Sequence, residues 1–184
     1  NMADLLGWYK QKNILPLGLS YKDMEPVYTD LSGNYTFLVS GMAHSGKSRY
    51  LENMAGLMKQ KYPEMQLYVF DGLRSSLADC EEYATGYSKC SDDSKVTEII
   101  GEIVTELSQR RVNLKNASLG LAFNQEDWTA EQTLIGIIID DVSEFMKNVN
   151  EGNKKKLRAI SKQAQGLGVV MLMAGRVGAL QNLN

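Results

Sequence analysis

The chain has 184 residues, with 20 Lys and Arg against 22 Asp and Glu and a formal net charge of −2. That length suits one domain able to bury most of its apolar surface without staples, and the slightly acidic balance argues against a protein that holds nucleic acid mainly through its phosphates. A single histidine leaves no basis for a His-dependent triad or zinc cluster, and Cys80 and Cys90, without a C-x-x-C pattern, read as free thiols.

No apolar stretch approaches the roughly 20 residues of a membrane span. The start, Asn1-Met2-Ala3-Asp4, lacks the basic and apolar regions of a signal peptide and reads as an excised segment. Residues 14–36 read as extended pieces punctuated by Pro16, Gly18, Pro26 and the turn Ser32-Gly33-Asn34, favouring edge strands ahead of the core. A first core strand is expected over about 37–40, then a helix from Lys47 to about Tyr62, stopped by Pro63. A second strand, Leu67-Tyr68-Val69-Phe70, ends in Asp71-Gly72. Val96, Ile99, Ile100, Ile103, Val104 and Leu107 recur at helical spacing and predict a helix over about 96–115 with a core-facing stripe. Two basic clusters, Arg110-Arg111 and Lys154-Lys155-Lys156 with Arg158, read as solvated helix faces.

The run Leu134-Ile135-Gly136-Ile137-Ile138-Ile139 is continuously apolar, as expected of a parallel strand covered on both faces. A helix over about 154–165 and a buried strand over about 168–174 follow. Strands alternating with helices argue an α/β fold with a mainly parallel central sheet flanked by helices.

The chemistry centres on Gly41-Met42-Ala43-His44-Ser45-Gly46-Lys47-Ser48, which fits G-x-x-x-x-G-K-[ST] at each defined position, after a strand and before a helix. Glycines let the loop curl so that backbone N–H groups point inward, and the following helix adds its positive end, so the eight residues read as a phosphate cradle for ATP. Lys47 would reach the β- and γ-phosphates and Ser48 would ligate Mg²⁺. A second element is Asp140-Asp141 at the end of a buried strand, where sites in α/β sheets lie. Asp140 reads as the Mg²⁺ carboxylate partnering Ser48, and Asp141 stands where a residue orients the attacking water. The competing reading makes the pair a cap for a helix near residues 142–145. Aspartate is one methylene shorter than glutamate, so the expectation is ATP binding with slow hydrolysis by the isolated domain; Glu144 is a weaker candidate base.

The order of segments resembles the FtsK/SpoIIIE-like ATPase family across most of the chain. Asp71-Gly72-Leu73-Arg74 is similar to its Asp-Pro-Lys segment, and Glu106-Leu107-Ser108-Gln109-Arg110-Arg111 to its Glu-Met-x-x-Arg helix motif. Residues 139–146 resemble its Asp-Glu-x-x-x-Leu-Met segment, and Ile160 through Ala174, with Ala164-Gln165-Gly166-Leu167-Gly168, its Ala-x-x-Gly-Arg-x-x-Gly-Ile-His helix and strand. Two departures stand out: Asp141 replaces the family's catalytic Glu, and Gly175-Arg176 stands where DNA translocases carry Thr-Gln-Arg-Pro. Leu15-Pro16-Leu17-Gly18-Leu19, leading through Pro26-Val27-Tyr28-Thr29-Asp30-Leu31 to the loop, resembles the ATPase modules of the type VII secretion coupling proteins EssC and EccC, the C-terminal module of EssC in particular.

That resemblance implies one ATPase domain over 1–184, a RecA-like P-loop NTPase, with an N-terminal extended segment over 1–36, a nucleotide-binding core over 37–184 and further strands beyond. It implies the cytoplasmic part of a membrane-anchored protein that works as a hexamer beside neighbouring ATPase modules. The implied partners are secreted WXG100-class proteins and their effector complexes, with no nucleic acid. Trp8 and Trp128 are candidate partner contacts, packing being the plainer role for each. The competing functions are a DNA translocase motor, which would need a basic channel, and a non-catalytic scaffold with a relic loop, which would be expected to have lost Lys47 and Ser48.

Overall fold

The computed structural model describes residues 14–31, 35–120, 122–164 and 166–176. Strands β1 (Ile14–Leu19) and β2 (Pro26–Asp30) pair antiparallel. Strands β3 (Thr36–Ser40), β4 (Gln66–Asp71), β5 (Gly86–Lys89), β6 (Ile135–Ile139) and β7 (Val169–Gly175) form a second sheet in the order β3-β7-β6-β4-β5. All of its pairings are parallel. Parallel neighbours cannot be joined by a tight turn, so each connection must leave the sheet and return. The returning elements include helices α1 (Lys47–Lys61), α2 (Asp93–Ala117), α3 (Gln125–Glu131), α4 (Val142–Asn148) and α5 (Glu151–Gln163).

Alternation along each strand divides the apolar side chains between two cores. Leu67, Val69, Ile138, Val170 and Leu172 pack with Leu51, Met54, Ala55 and Met58 of α1. Tyr68, Phe70, Ile137, Ile139, Met171 and Met173 pack on the other face with Ile99, Ile100 and Ile103 of α2, Phe145 of α4 and Leu157 and Ile160 of α5. The continuous apolar runs of β6 and β7 therefore serve both faces at once. At Gly136 a Cβ would stand 2.9 Å from Leu67 Cδ1 and 3.2 Å from Met58 Cε. The missing side chain lets α1 lie close on the sheet.

The expected core strands and helices are present, with ends that differ by one to three residues. Two expectations are corrected. β1 and β2 do not extend the parallel sheet; they pair with each other across the turn closed by Ser20 N–H to Glu25 O at 2.8 Å. Leu15 is buried in the α1-side core, and Tyr50 OH donates to Leu17 O at 3.0 Å while Lys61 Nζ donates to Ile14 O. The hairpin is thus held as a separate layer. Arg110 is not solvated: it is 3% exposed, donating through Nε to Glu106 at 2.8 Å and through Nη1 to Leu167 O at 2.8 Å. Its place on the buried stripe of α2, four residues beyond Glu106, gives the guanidinium partners that a solvated face would lack. The Ser32-Gly33-Asn34 turn, Trp8 and everything after Arg176 lie outside the described residues; Trp128 packs against the α2-side core.

α4 follows directly on β6, so whatever seats α4 also seats the residues that join them. Phe145 and Phe70, each 1% exposed, meet edge to face with ring centroids 5.2 Å apart. Truncation by Phe145→Ala is expected to lower stability by about 3–5 kcal/mol, measured by urea unfolding.

Candidate functional site

The parallel register brings the carboxyl ends of five strands to one edge. Ser40 is level with Gly175, Met173 with Ile139, Ile139 with Phe70, and Phe70 with Ser88. The loop over 41–46, Arg176, Asp140 and Asp71 consequently emerge together, where α/β sheets carry their ligands.

The loop leaves β3 in a tight curl. A Cβ on Gly41 would fall 2.6 Å from Ser45 Oγ, and His44 and Gly46 take left-handed φ of 61° and 85°. Gly46 caps α1 without a side chain, so the first N–H groups of that 15-residue helix have no side-chain acceptor. Uncapped N–H groups and the positive end of the helix favour an anion. Met42, Ala43, His44 and Ser45 are exposed on this curl. Lys47 Nζ turns back onto the loop, donating to Met42 O at 2.7 Å and Gly41 O at 3.2 Å.

Opposite the loop stands Asp140, 8% exposed, its backbone N–H donating to Phe70 O at 3.0 Å. Burial pushes its carboxyl above the usual carboxylate range, the nearby Ser48 hydroxyl opposes that, and Asp71, Asp141 and Glu144 push it further up. Its Oδ1 is buried and has no hydrogen-bond partner. Uncapped donors at the head of α1, a cation-ready hydroxyl and an orphaned acidic oxygen make a donor set that fits a phosphate paired with a divalent cation. The residues that would hold such a pair are those of the loop, Lys47, Ser48 and Asp140.

Asp141 takes the other expected position: it caps α4, its Oδ1 accepting from Glu144 N–H at 3.0 Å. Glu144 reaches across to the β4 turn, where Oε2 accepts from Leu73 N–H at 3.0 Å. A Cβ on Gly72 would meet that oxygen at 2.7 Å and Asp140 Oδ2 at 3.1 Å, so a side chain there would displace the Glu144 carboxylate. Arg176 lines an open groove of about 990 Å³ with Asp141, Glu144, Lys154 and Arg158. A separate cleft of about 1000 Å³ opens at the opposite end of the strands, among Tyr35, Lys61, Tyr62, Gln125 and Gln132, remote from the loop. Sequence reasoning assigned no site role to Asp71, which is wholly buried beside Asp140. The available signal was its place at a strand end, followed by Gly72.

The five-stranded parallel sheet, flanking helices and strand-to-helix loop are the fold of a P-loop ATPase domain, the class to which the similar solved structures belong. The cytoplasmic domain of EssC superposes with a TM-score of 0.77 at 18% identity, covering 98% of this chain and 35% of that one. Thermomonospora curvata EccC (ATPases 2 and 3), in complex with a signal sequence peptide, gives 0.69 at 18% identity over 95% of this chain and 33% of that one. The pCW3 conjugation coupling protein TcpA with ATPγS gives 0.66 at 18% identity over 90% and 49%. No protein-family model matches the chain. Among curated proteins it is 24% identical over 169 residues to the ESX secretion system protein EccC of Thermomonospora curvata, a match that takes in 89% of this chain. Within its class, then, the chain resembles the ATPase modules of EccC and EssC, and it spans 12% of the length of that curated EccC.

Two outcomes follow from the local geometry. Burial, with Glu144, Asp71 and Asp141 close by, pushes the Cys90 thiol up to about 11, and burial likewise raises Cys80. At pH 8 only about one Cys90 in a thousand is thiolate, so iodoacetamide should leave both cysteines unlabelled in the folded protein and label both in urea, read by intact mass. Loss of the α4 cap in Asp141→Ala should lower stability by about 1 kcal/mol, while Asp141→Asn, an equivalent cap, stays within a few tenths in the same denaturation assay.

Proposed function

We propose that this chain is an ATP-binding module of a type VII secretion coupling protein, in which the nucleotide state conditions recruitment and translocation of secreted substrates. The observation that carries the proposal is the nearness of Ser48, at the head of α1, to the buried carboxyl of Asp140 on β6, where it opposes the upward push of burial. It joins the two halves of a nucleotide site that are far apart in sequence. Likeness to the EccC and EssC modules supports the choice among P-loop ATPases, and the ATPγS held by TcpA supports the choice of ligand.

Bound Mg²⁺-ATP supplies the transferable phosphoryl group and its charge. The chain's own residues do the rest. N–H groups of 41–48 hold phosphate oxygens, and Lys47 exchanges its two loop carbonyls for phosphate. Ser48 and Asp140 hold the cation. Asp141 orients water, and it does so poorly: its carboxylate is short and one oxygen already serves Glu144 N–H. A misplacement on the order of 1 Å lowers rate by about 10²-fold, so the isolated domain binds ATP and hydrolyses it slowly.

The bound signal sequence peptide of the Thermomonospora curvata EccC structure supports secreted proteins as partners. We extend this to small helical WXG100-class substrates, neighbouring ATPase modules, a hexameric assembly and a membrane-anchored whole, of which this chain is one module. Among the described residues no helix is long and apolar enough to cross a membrane.

Calorimetric titration of Mg²⁺-ATP should show binding by the wild type, loss of binding in Lys47→Ala with little change in melting temperature, and wild-type turnover below about one per second. Retained affinity in Lys47→Ala overturns the assignment of the loop. Fast turnover leaves the site standing and overturns the slow-hydrolysis reading of Asp141.

A further inference from the structure

Phe70 is level with Ile139 in the β4–β6 pairing, so the next residue on each strand, Asp71 and Asp140, stand side by side, roughly 4.8 Å apart across the sheet. Alternation puts both on the α1 face, behind Val69 on one strand and Ile138 on the other. Asp71 is 0% exposed and Asp140 8%. Each carboxyl has a bare oxygen, and Asp71 is held by its other one. Asp71 Oδ2 accepts from Tyr87 OH at 2.7 Å and from Leu77 N–H at 3.1 Å. Oδ1 of Asp71 and Oδ1 of Asp140 are both buried without a partner.

A buried acidic oxygen with no donor is unfavourable, and two on adjacent strands repel as well. Tyr87 and Leu77 hold Asp71 by its other oxygen, so the carboxyl is not free to turn to a different donor. What these oxygens lack is a source of protons to accept and of positive charge. Hydrated Mg²⁺ is such a source, because it sheds water reluctantly and presents the protons of the waters it keeps. Among the described residues no three His, Cys, Asp or Glu side chains are grouped as a direct metal cage, which suits an ion held partly through water.

We infer that Asp71 is a second acidic residue of the divalent-cation site, accepting hydrogen bonds from the water shell of the ion beside Asp140, with Tyr87 fixing its orientation. The inference rests on the nucleotide reading above. It makes Asp71 a positioning residue: it acts on the ion through water and touches neither phosphate nor the attacking group.

The test compares ATP affinity in EDTA with affinity in saturating Mg²⁺, by calorimetry, for the wild type, Asp71→Asn and Tyr87→Phe. Asp71→Asn keeps the shape and removes the charge. Its affinity in EDTA should stay within about twofold of wild type, while the gain conferred by Mg²⁺ falls about tenfold, the effect of one charge-assisted hydrogen bond. Tyr87→Phe, which leaves Asp71 in place but held by Leu77 N–H alone, should lose about two- to fivefold of the same gain and carries the test if Asp71→Asn does not fold. An undiminished Mg²⁺ gain in the variants overturns the inference, as does an equal loss of affinity with and without Mg²⁺, the behaviour of a carboxyl that only supports the fold. A wild type that binds no ATP under either condition overturns the nucleotide reading and this inference with it.

Discussion

Parallel pairing of β6 with β4 on one side and β7 on the other holds three otherwise distant chain segments level at their carboxyl ends. Asp140 N–H donates to Phe70 O at 3.0 Å, continuing the ladder one residue past the last paired position. These strand ends are placed by backbone bonds and by the apolar contacts of α1 on one face and of α2, α4 and α5 on the other. A slip of one residue in β6 would turn Asp140 to the opposite face and break its contact with Ser48. The electrostatics of the site are therefore a consequence of packing elsewhere: the sheet can hold an acidic group at its edge because Ile135, Ile137, Ile138 and Ile139 behind it are fully enclosed.

That enclosure keeps several negative groups near one another. Asp71, Asp140, Asp141 and Glu144 lie on two adjacent strand ends and the helix that follows, and they differ in how they are satisfied. Asp141 and Glu144 each accept a backbone N–H and are partly exposed. Asp71 and Asp140 are buried and incompletely satisfied. Across from them stand the uncapped N–H groups of α1 and the exposed curl of the loop. Donors without acceptors face acceptors without donors, an arrangement that a protein core would eliminate by repacking and that a ligand site retains.

Much of this was legible in the sequence. The loop over 41–48 is defined by residue identities at fixed spacing, and the core strands announce themselves as continuous apolar runs because both faces are covered. The β5 strand, Gly86-Tyr87-Ser88-Lys89, carries no such run: it lies at the edge of the sheet, and only Ser88 among its residues is buried. Arg110 shows the opposite limit. Charge at helical spacing ordinarily marks a solvated face, yet here the guanidinium reaches a carbonyl 57 residues away, Leu167 O, which no local pattern reveals. Asp71 was hidden for a similar reason, since its partner Tyr87 lies 16 residues on, beyond the 3₁₀ turn over Ala78–Glu82. The Asp140-Asp141 pair reads in sequence as a cation ligand followed by a water-orienting residue, with a helix cap as the competing reading. The structure gives Asp141 the cap and sets Asp140 beside Ser48.

The close seating of α1 over Gly136 depends on thioether side chains. Met54 and Met58 of the helix meet Met65 and the sheet there. Methionine adapts to an irregular gap better than a branched residue does, which explains its use where helix and strand nearly touch. The same sulfurs make this layer vulnerable to oxidative ageing. Conversion to sulfoxide would insert a polar, chiral oxygen between α1 and the sheet, and the head of that helix carries Lys47 and Ser48. While the domain stays closed these sulfurs are sheltered, all three being buried. Peroxide damage would then accumulate in molecules that have opened at least once, and would leave them less able to close again.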